Sequence, residues 1–242
     1  MILRVGSWRV LSIAVLAGCV IPISAQMAVA PAQQAEVAAR LAPAPSNIEH
    51  RLGKTPPAVI WLNPLHEGAA QPAVPGSFTL LQKNKMFTPH LLVVPVGSSV
   101  AFPNADPFFH NVFSLFDGRR FDLGLYEAGS TRSVVFSREG VSYIFCNIHS
   151  EMSAVVIALA TRYYGFADSQ GVFHVKNVPD GDYELHVWIE GQKQTSLDRI
   201  TRRVHVAGES SDLGEIRSGS PEEHDHLNKF GQPYDPDSHG TY

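Results

Sequence analysis

VSYIFCNIHSEMSAVVIALA, residues 141–160, decides the fold: two apolar runs flank a short step that carries Cys146, His149 and Met152. The first run, Val141 to Cys146, reads as a strand. The second, Ala154 to Ala160, is continuously apolar, so it reads as a central strand buried on both faces. A hairpin with three soft or nitrogenous donors at its tip is therefore expected.

Outward from this unit the rhythm repeats. Ala58 to Leu62 is a compact apolar run closed by Asn63-Pro64, and a loop rich in Gly, Ala and Pro follows to Ser77. Phe78 to Leu81 adds a short strand. Leu91 to Val96 leads through a Gly97-Ser98-Ser99 turn to Val100-Ala101-Phe102, and His110 to Ser114 follows Pro103-Asn104-Ala105-Asp106-Pro107. Arg132 to Phe136 alternates as a strand before the Ser137-Arg138-Glu139-Gly140 turn, whereas residues 117–129 read as a looser crossover between sheets. Strands separated by turns about every 8–12 residues predict an all-β sandwich or barrel, and no long stripe of helical period is present.

The chain has 242 residues, 44% hydrophobic and 10% aromatic, with Gly 19 and Pro 17, enough apolar material for real cores with many turns. Basic residues form no strong patch, so nucleic acid is not an expected partner. Residues 1–25 combine Arg4 and Arg9, an apolar stretch from Val10 to Ile23 and small residues at Ser24 and Ala25, the parts of a secretory signal. That stretch is too short for a transmembrane span, so none is expected in the mature chain. Cleavage falls near Ala25 or Ala30. Alternatively, Leu16-Ala17-Gly18-Cys19 resembles a bacterial lipobox (residues 16–19), which would make Cys19 a lipid anchor. Without Arg4 and Arg9 the mature chain carries about −6. An exported, periplasmic location is expected, and either route leaves Cys146 as the one available thiol in an oxidising compartment, where a metal is the commonest reason for an unpaired cysteine.

Residues 26–54 are rich in Ala, Pro and Gln, with a short helical pattern between Gln33 and Leu41, and read as a flexible tether. From Tyr163 the strand pattern restarts. DSQGVFHVKNVPDGDYELHVW, from Asp168 to Trp188, resembles the carboxypeptidase regulatory-like (transthyretin-like) β-sandwich module, which implies a structural or adhesive appendage over residues 161–209. About 50 residues is short for that family, so the module is expected to lean on the preceding domain or to take Val59 to Leu62 as a strand. Residues 210–242 are polar and read as an extended tail, in which His224 and His226 form a weak candidate site for Cu(II) or Zn(II) beside the plainer reading of a solvated surface.

Copper that cycles between two oxidation states with little rearrangement wants two imidazoles, one thiolate and a weak fourth ligand. Cys146, His149 and Met152, spaced CxxHxxM, supply three of these from one loop. So short a loop cannot surround an ion, and His110, behind the water-excluding Pro107-Phe108-Phe109 segment, is the best fourth candidate. His90 reads as structural, or else as a neighbour of the site. A single cysteine outside the signal segment argues against a zinc finger, and CxxCH, the haem attachment motif, does not occur.

Gly97 to Val100, Asn104, His110-Asn111 and FCNIHSEM at Phe145 to Met152 stand in the order found in cupredoxins, and over about residues 78–160 the chain resembles that plastocyanin, amicyanin and pseudoazurin family, which implies a cupredoxin domain at residues 55–160. The resemblance implies a Greek-key sandwich holding one type 1 copper ion, with His110, Cys146 and His149 as equatorial ligands and Met152 axial. It also implies that the Asn111 amide pins the two ligand segments together. Ile148 stands where the family has proline, and Glu151 departs from the usual aromatic or small residue. Exported proteins labelled methylamine-utilisation or plastocyanin-like are similar. The implied function is one-electron transfer to a redox protein docking near His149, among Pro107, Phe108 and Ile148. The alternative is copper storage or delivery with the same ligands. An oxidase or reductase would need a second metal site, for which the sequence offers no convincing ligand set.

Overall fold

The computed structural model describes residues 34–42, 55–66, 71–115, 118–219 and 227–234. The signal, Cys19 and its lipobox, His224, His226 and His239 lie outside the described residues. Along the chain the strands are β1 (Gln34–Leu41), β2 (Ala58–Pro64), β3 (Ser77–Thr79), β4 (Leu81–Lys83), β5 (Met86–Thr88), β6 (Leu91–Pro95), β7 (Ser99–Pro103), β8 (His110–Ser114) and β9 (Phe121–Tyr126). There follow β10 (Thr131–Val135), β11 (Gly140–Phe145), β12 (Ser153–Leu159), β13 (Tyr164–Phe166), β14 (Val172–Pro179), β15 (Gly181–Ile189), β16 (Arg202–Val206) and β17 (Ser210–Ile216). One turn of helix at Gln194–Asp198 interrupts them. Among the described residues no helix is long and apolar enough to cross a membrane.

β12 explains the layering. Its side chains alternate, and because both sides are apolar the strand can serve two cores. Ala154, Val156 and Ala158 pack into one cluster with Val100, Phe102 and Ile144. Val155, Ile157 and Leu159 pack into the other with Ile60, Val187 and Trp188. The first core lies between a five-stranded sheet of order β6-β12-β11-β8-β9 and a three-stranded sheet of order β10-β7-β3. The second lies between the outer face of that five-stranded sheet and the sheets β13-β2-β15-β16 and β14-β1-β17. Each Val, Ile or Leu of β12 contributes about 1.5–3 kcal/mol through burial, which couples the two layers. The Trp188 indole N–H also donates across this boundary to the Tyr143 hydroxyl at 3.3 Å.

The all-β reading holds, and the apolar runs either side of the CxxHxxM step are β11 and β12, paired antiparallel from Gly140↔Ala158 to Phe145↔Ser153. At the Gly97 turn φ is +89°, a value that favours glycine. The Asp168 turn is self-capped, since its Oδ1 accepts from the N–H groups of Gln170 and Val172.

Several expectations are corrected. Residues 34–41, read as part of a tether with a helical pattern, form β1 at the centre of a sheet, antiparallel to β14 and parallel to β17. Ala35, Val37, Ala39 and Leu41 face the core while their neighbours face out. Alanine suits a helix as well as a small inward strand position, so composition hid the period of two. The polar tail does not begin at Ser210, because residues 210–216 are β17, and residues 227–234 fold back onto the candidate site. Residues 58–64 fall inside the bounds expected for the first domain, but they form β2, and the expected borrowing of Val59 to Leu62 holds: β2 pairs with β13 and, from Tyr183↔Pro64 to Ile189↔Ala58, with β15. The strands within residues 161–209 thus share their two sheets with β1, β2 and β17. Finally, the looser crossover of residues 117–129 contains β9, which pairs with β8 from His110↔Tyr126 to Ser114↔Phe121.

Candidate metal centre

The β11–β12 connection is closed at its base. Phe145 ends β11 opposite both Ser153 of β12 and Phe113 of β8, so Cys146 leaves the ladder at a fixed point. The Cys146 N–H donates to the Met152 carbonyl at 3.1 Å, and the Met152 N–H donates to the His149 carbonyl at 3.0 Å. These bonds fold the intervening residues into a tight loop with Cys146 and Met152 fully buried in the same apolar cluster. His110 opens β8 in the same sheet and is likewise fully buried.

Cys146 Sγ lies 3.7 Å from His110 Nδ1 and 3.5 Å from His149 Nδ1. All three donor atoms fall within 4.8 Å of one another. A metal bound at about 2.0–2.1 Å from nitrogen and about 2.3 Å from sulfur, with angles of about 110–120°, separates N from S by about 3.5–3.8 Å. The donor set of two imidazoles and one thiolate with a nearby methionine is that of blue-copper sites, and the spacing fits. The Phe108 ring lies against both imidazoles, 5.3 Å from the His110 ring and 5.5 Å from the His149 ring, and the imidazoles themselves are 4.9 Å apart. Lys85 Nζ sits 5.5 Å from the centroid of the same Phe108 ring. Phe108 is half-buried, as a water-excluding residue should be, whereas Phe109 is exposed.

An acid that sequence reading did not single out sets the state of His110. Asp106, 5% exposed, accepts from His110 Nε2 at 2.8 Å, from the Lys85 N–H at 3.0 Å and from the Asn84 N–H at 2.6 Å. Burial alone would push its carboxyl up. The Lys85 N–H, the His110 ring and the Asn84 N–H outweigh burial and hold it below the usual carboxylate range. An ionised carboxylate only accepts, so the proton sits on His110 Nε2, and Nδ1 keeps a lone pair facing Cys146. Burial lowers the His110 pKa, with Asp106 acting in the opposite sense. His149 is pushed down to about 4 by burial and by positive charge at His110 and Lys85, so it is a neutral donor near pH 7. The Cys146 thiol is pushed up by burial, while N–H groups of Asn111, Ile148 and His149 pull the other way. A coordinated cation would complete that deprotonation. The signal for Asp106 was an acid four residues before the histidine, within a turn whose Asn104 Oδ1 accepts from the Asp106 N–H at 3.0 Å.

Asn111 links the ligand segments by its main chain, since it is the backbone N–H that reaches Cys146. Its side-chain amide donates instead to Asp122 Oδ1 of β9 at 2.7 Å. His90 is not part of the donor group. Its Nε2 meets Glu190 Oε1 at 2.5 Å and its Nδ1 meets the Ser153 carbonyl at 3.2 Å. Cys146 is in no disulfide among the described residues.

No protein-family model matches the chain, and comparison with curated proteins gives no match. Solved structures do match in part. A purple cupredoxin from Nitrosopumilus maritimus is 25% identical, over 34% of this chain and 98% of its own, with a TM-score of 0.31. A variant of amicyanin in the oxidised state is 20% identical, over 35% of this chain and 83% of its own, with a TM-score of 0.33. A copper-containing nitrite reductase from Thermus scotoductus is 20% identical, over 50% of this chain and 28% of its own, also with a TM-score of 0.33. Each of these likenesses covers half of this chain or less.

Proposed function

We propose that this chain is an exported type 1 copper protein that carries single electrons, with His110, Cys146 and His149 as the strong ligands and Met152 as the weak one. The observation that carries this reading is the triangle of His110 Nδ1, Cys146 Sγ and His149 Nδ1, spaced at 3.7 and 3.5 Å about the sulfur. Bound copper would supply a one-electron redox couple at that point. The protein's part is to hold its donors still. Asp106 keeps the His110 proton on Nε2, the N–H groups at Cys146 favour the thiolate, and the closed base of the loop fixes Cys146 against Met152. A site that does not move between oxidation states keeps the reorganisation cost of electron transfer small. His149 is half-buried, whereas His110 and Cys146 are fully enclosed, so His149 is the edge through which a partner would exchange electrons. Short-lived docking of a redox protein suits such work.

Reconstitution of the mature protein with Cu(II) should give an intense thiolate-to-copper visible band and an EPR signal with narrow hyperfine splitting, both lost in Cys146→Ser. A colourless product that prefers zinc would refute the assignment.

A further inference from the structure

Residues 227–234 lie in a stretch that the sequence marks as polar tail, yet their contacts are built. Asn228 folds the segment on itself. Its Oδ1 accepts from the N–H groups of Phe230 and Gln232 at 2.9 and 3.1 Å, and its main chain bonds with that of Gln232 and Gly231 at 2.8 and 2.9 Å. The turn presents Lys229 and Tyr234 to the candidate centre. The Tyr234 hydroxyl donates to the Cys146 carbonyl at 2.9 Å, and burial pushes its pKa up to about 12, so it remains a donor. The Lys229 N–H donates to Asn147 Oδ1 at 2.9 Å, and its ammonium donates to Asp122 Oδ2 at 2.9 Å with only 21% of the side chain exposed. Asp122 in turn accepts from the Asn111 amide, and the Asn111 N–H reaches the Cys146 sulfur. The hydrogen bonds thus close a ring, from Tyr234 through Cys146, Asn111, Asp122 and Lys229 back to the turn.

We infer that residues 227–234 form a clip that fixes the Cys146 loop against the His110 strand, with Tyr234 and Lys229 as positioning residues for the thiolate donor. That the positioned sulfur is a copper ligand rests on the proposed function; the clip itself acts on the metal-free protein. A loop held only at its base can sway at its tip. The clip adds a hold on the backbone of Cys146 and on its neighbour Asn147, and ties both to the strand pair that carries His110.

The test uses full-length protein in two states. In metal-free protein, hydrogen–deuterium exchange of residues 146–152 should rise about fivefold in Tyr234→Phe, the effect of losing one net hydrogen bond. It should rise similarly in Lys229→Ala and be restored in Lys229→Arg, while β15 amides that exchange by local opening stay at wild-type values. In Cu(II)-loaded protein, release of the ion to EDTA should accelerate by a similar factor in Tyr234→Phe. Unchanged exchange in both Tyr234→Phe and Lys229→Ala would overturn the clip. Faster exchange with unchanged copper release would overturn the positioning role. Wild-type protein that takes up no copper would sink the proposed function, and the metal-free exchange would still decide the clip.

Discussion

Replacing Asp106 with asparagine keeps the shape of the side chain and removes its charge, and the structure says why that small change should be costly. Both carboxylate oxygens face donors: one meets the Asn84 N–H, the other the Lys85 N–H and His110 Nε2. Whichever way an amide is turned, its NH2 faces at least one of these donors in a region that is 5% exposed. An orphaned buried donor costs about 1–3 kcal/mol, and that loss should appear in urea unfolding of the metal-free protein. If the NH2 turns toward His110, it favours the tautomer with the proton on Nδ1, which is the atom needed for the metal. Loss of such a supporting contact lowers metal affinity about 10–100-fold, equivalent to about 1.4–2.8 kcal/mol. The assay is competition for Cu(II) against a chelator of known affinity. In the opposite orientation the amide oxygen stays on His110 Nε2 and only the stability loss appears, so an affinity within about threefold of wild type together with an unchanged urea midpoint would refute the argument that these donors hold the Asp106 carboxylate.

Two further predictions follow from the fold and its charges. Val37 is fully buried in β1, so Val37→Asp should cost about 4 kcal/mol or more in chemical unfolding; a change below about 1 kcal/mol would mean that residues 34–41 behave as a tether after all. At the His90–Glu190 pair, the hydrogen bond to Glu190, against an opposing burial cost, raises the His90 pKa above 6.5. A raised histidine pKa stabilises the fold fully below pH 6.5, and that stabilisation is lost as pH climbs through the raised value. The side chains are 42% and 39% exposed, so solvent screening limits the pair to about 0.2–1 kcal/mol. The stability gap between wild type and Glu190→Gln should therefore be open below pH 6.5 and close as pH climbs through the raised His90 value, and a gap independent of pH would contradict this assignment.

What the sequence by itself determined is what short-range pattern can carry. β6, β7, β8, β11 and β12 are legible because turn residues such as Gly97 punctuate apolar runs, and β12 announced its two-sided burial by having no polar side. Cys146, His149 and Met152 are legible together because one hairpin tip holds all three, so their spacing alone fixes their proximity. His110 was a candidate by its surroundings, but only the tertiary structure puts its Nδ1 3.7 Å from a sulfur 36 residues away. The same holds for β1, whose alanines fit helix and strand alike until β14 and β17 offer partners on both edges. Asp106 and Tyr234 are polar residues in a turn and a tail, and locally nothing separates them from solvated ones. Their roles come from what they meet, in the case of Tyr234 a carbonyl 88 residues earlier in the chain. Backbone and side-chain polar groups have to be satisfied wherever they are buried, and across such distances the partner is chosen by packing, which no local pattern encodes.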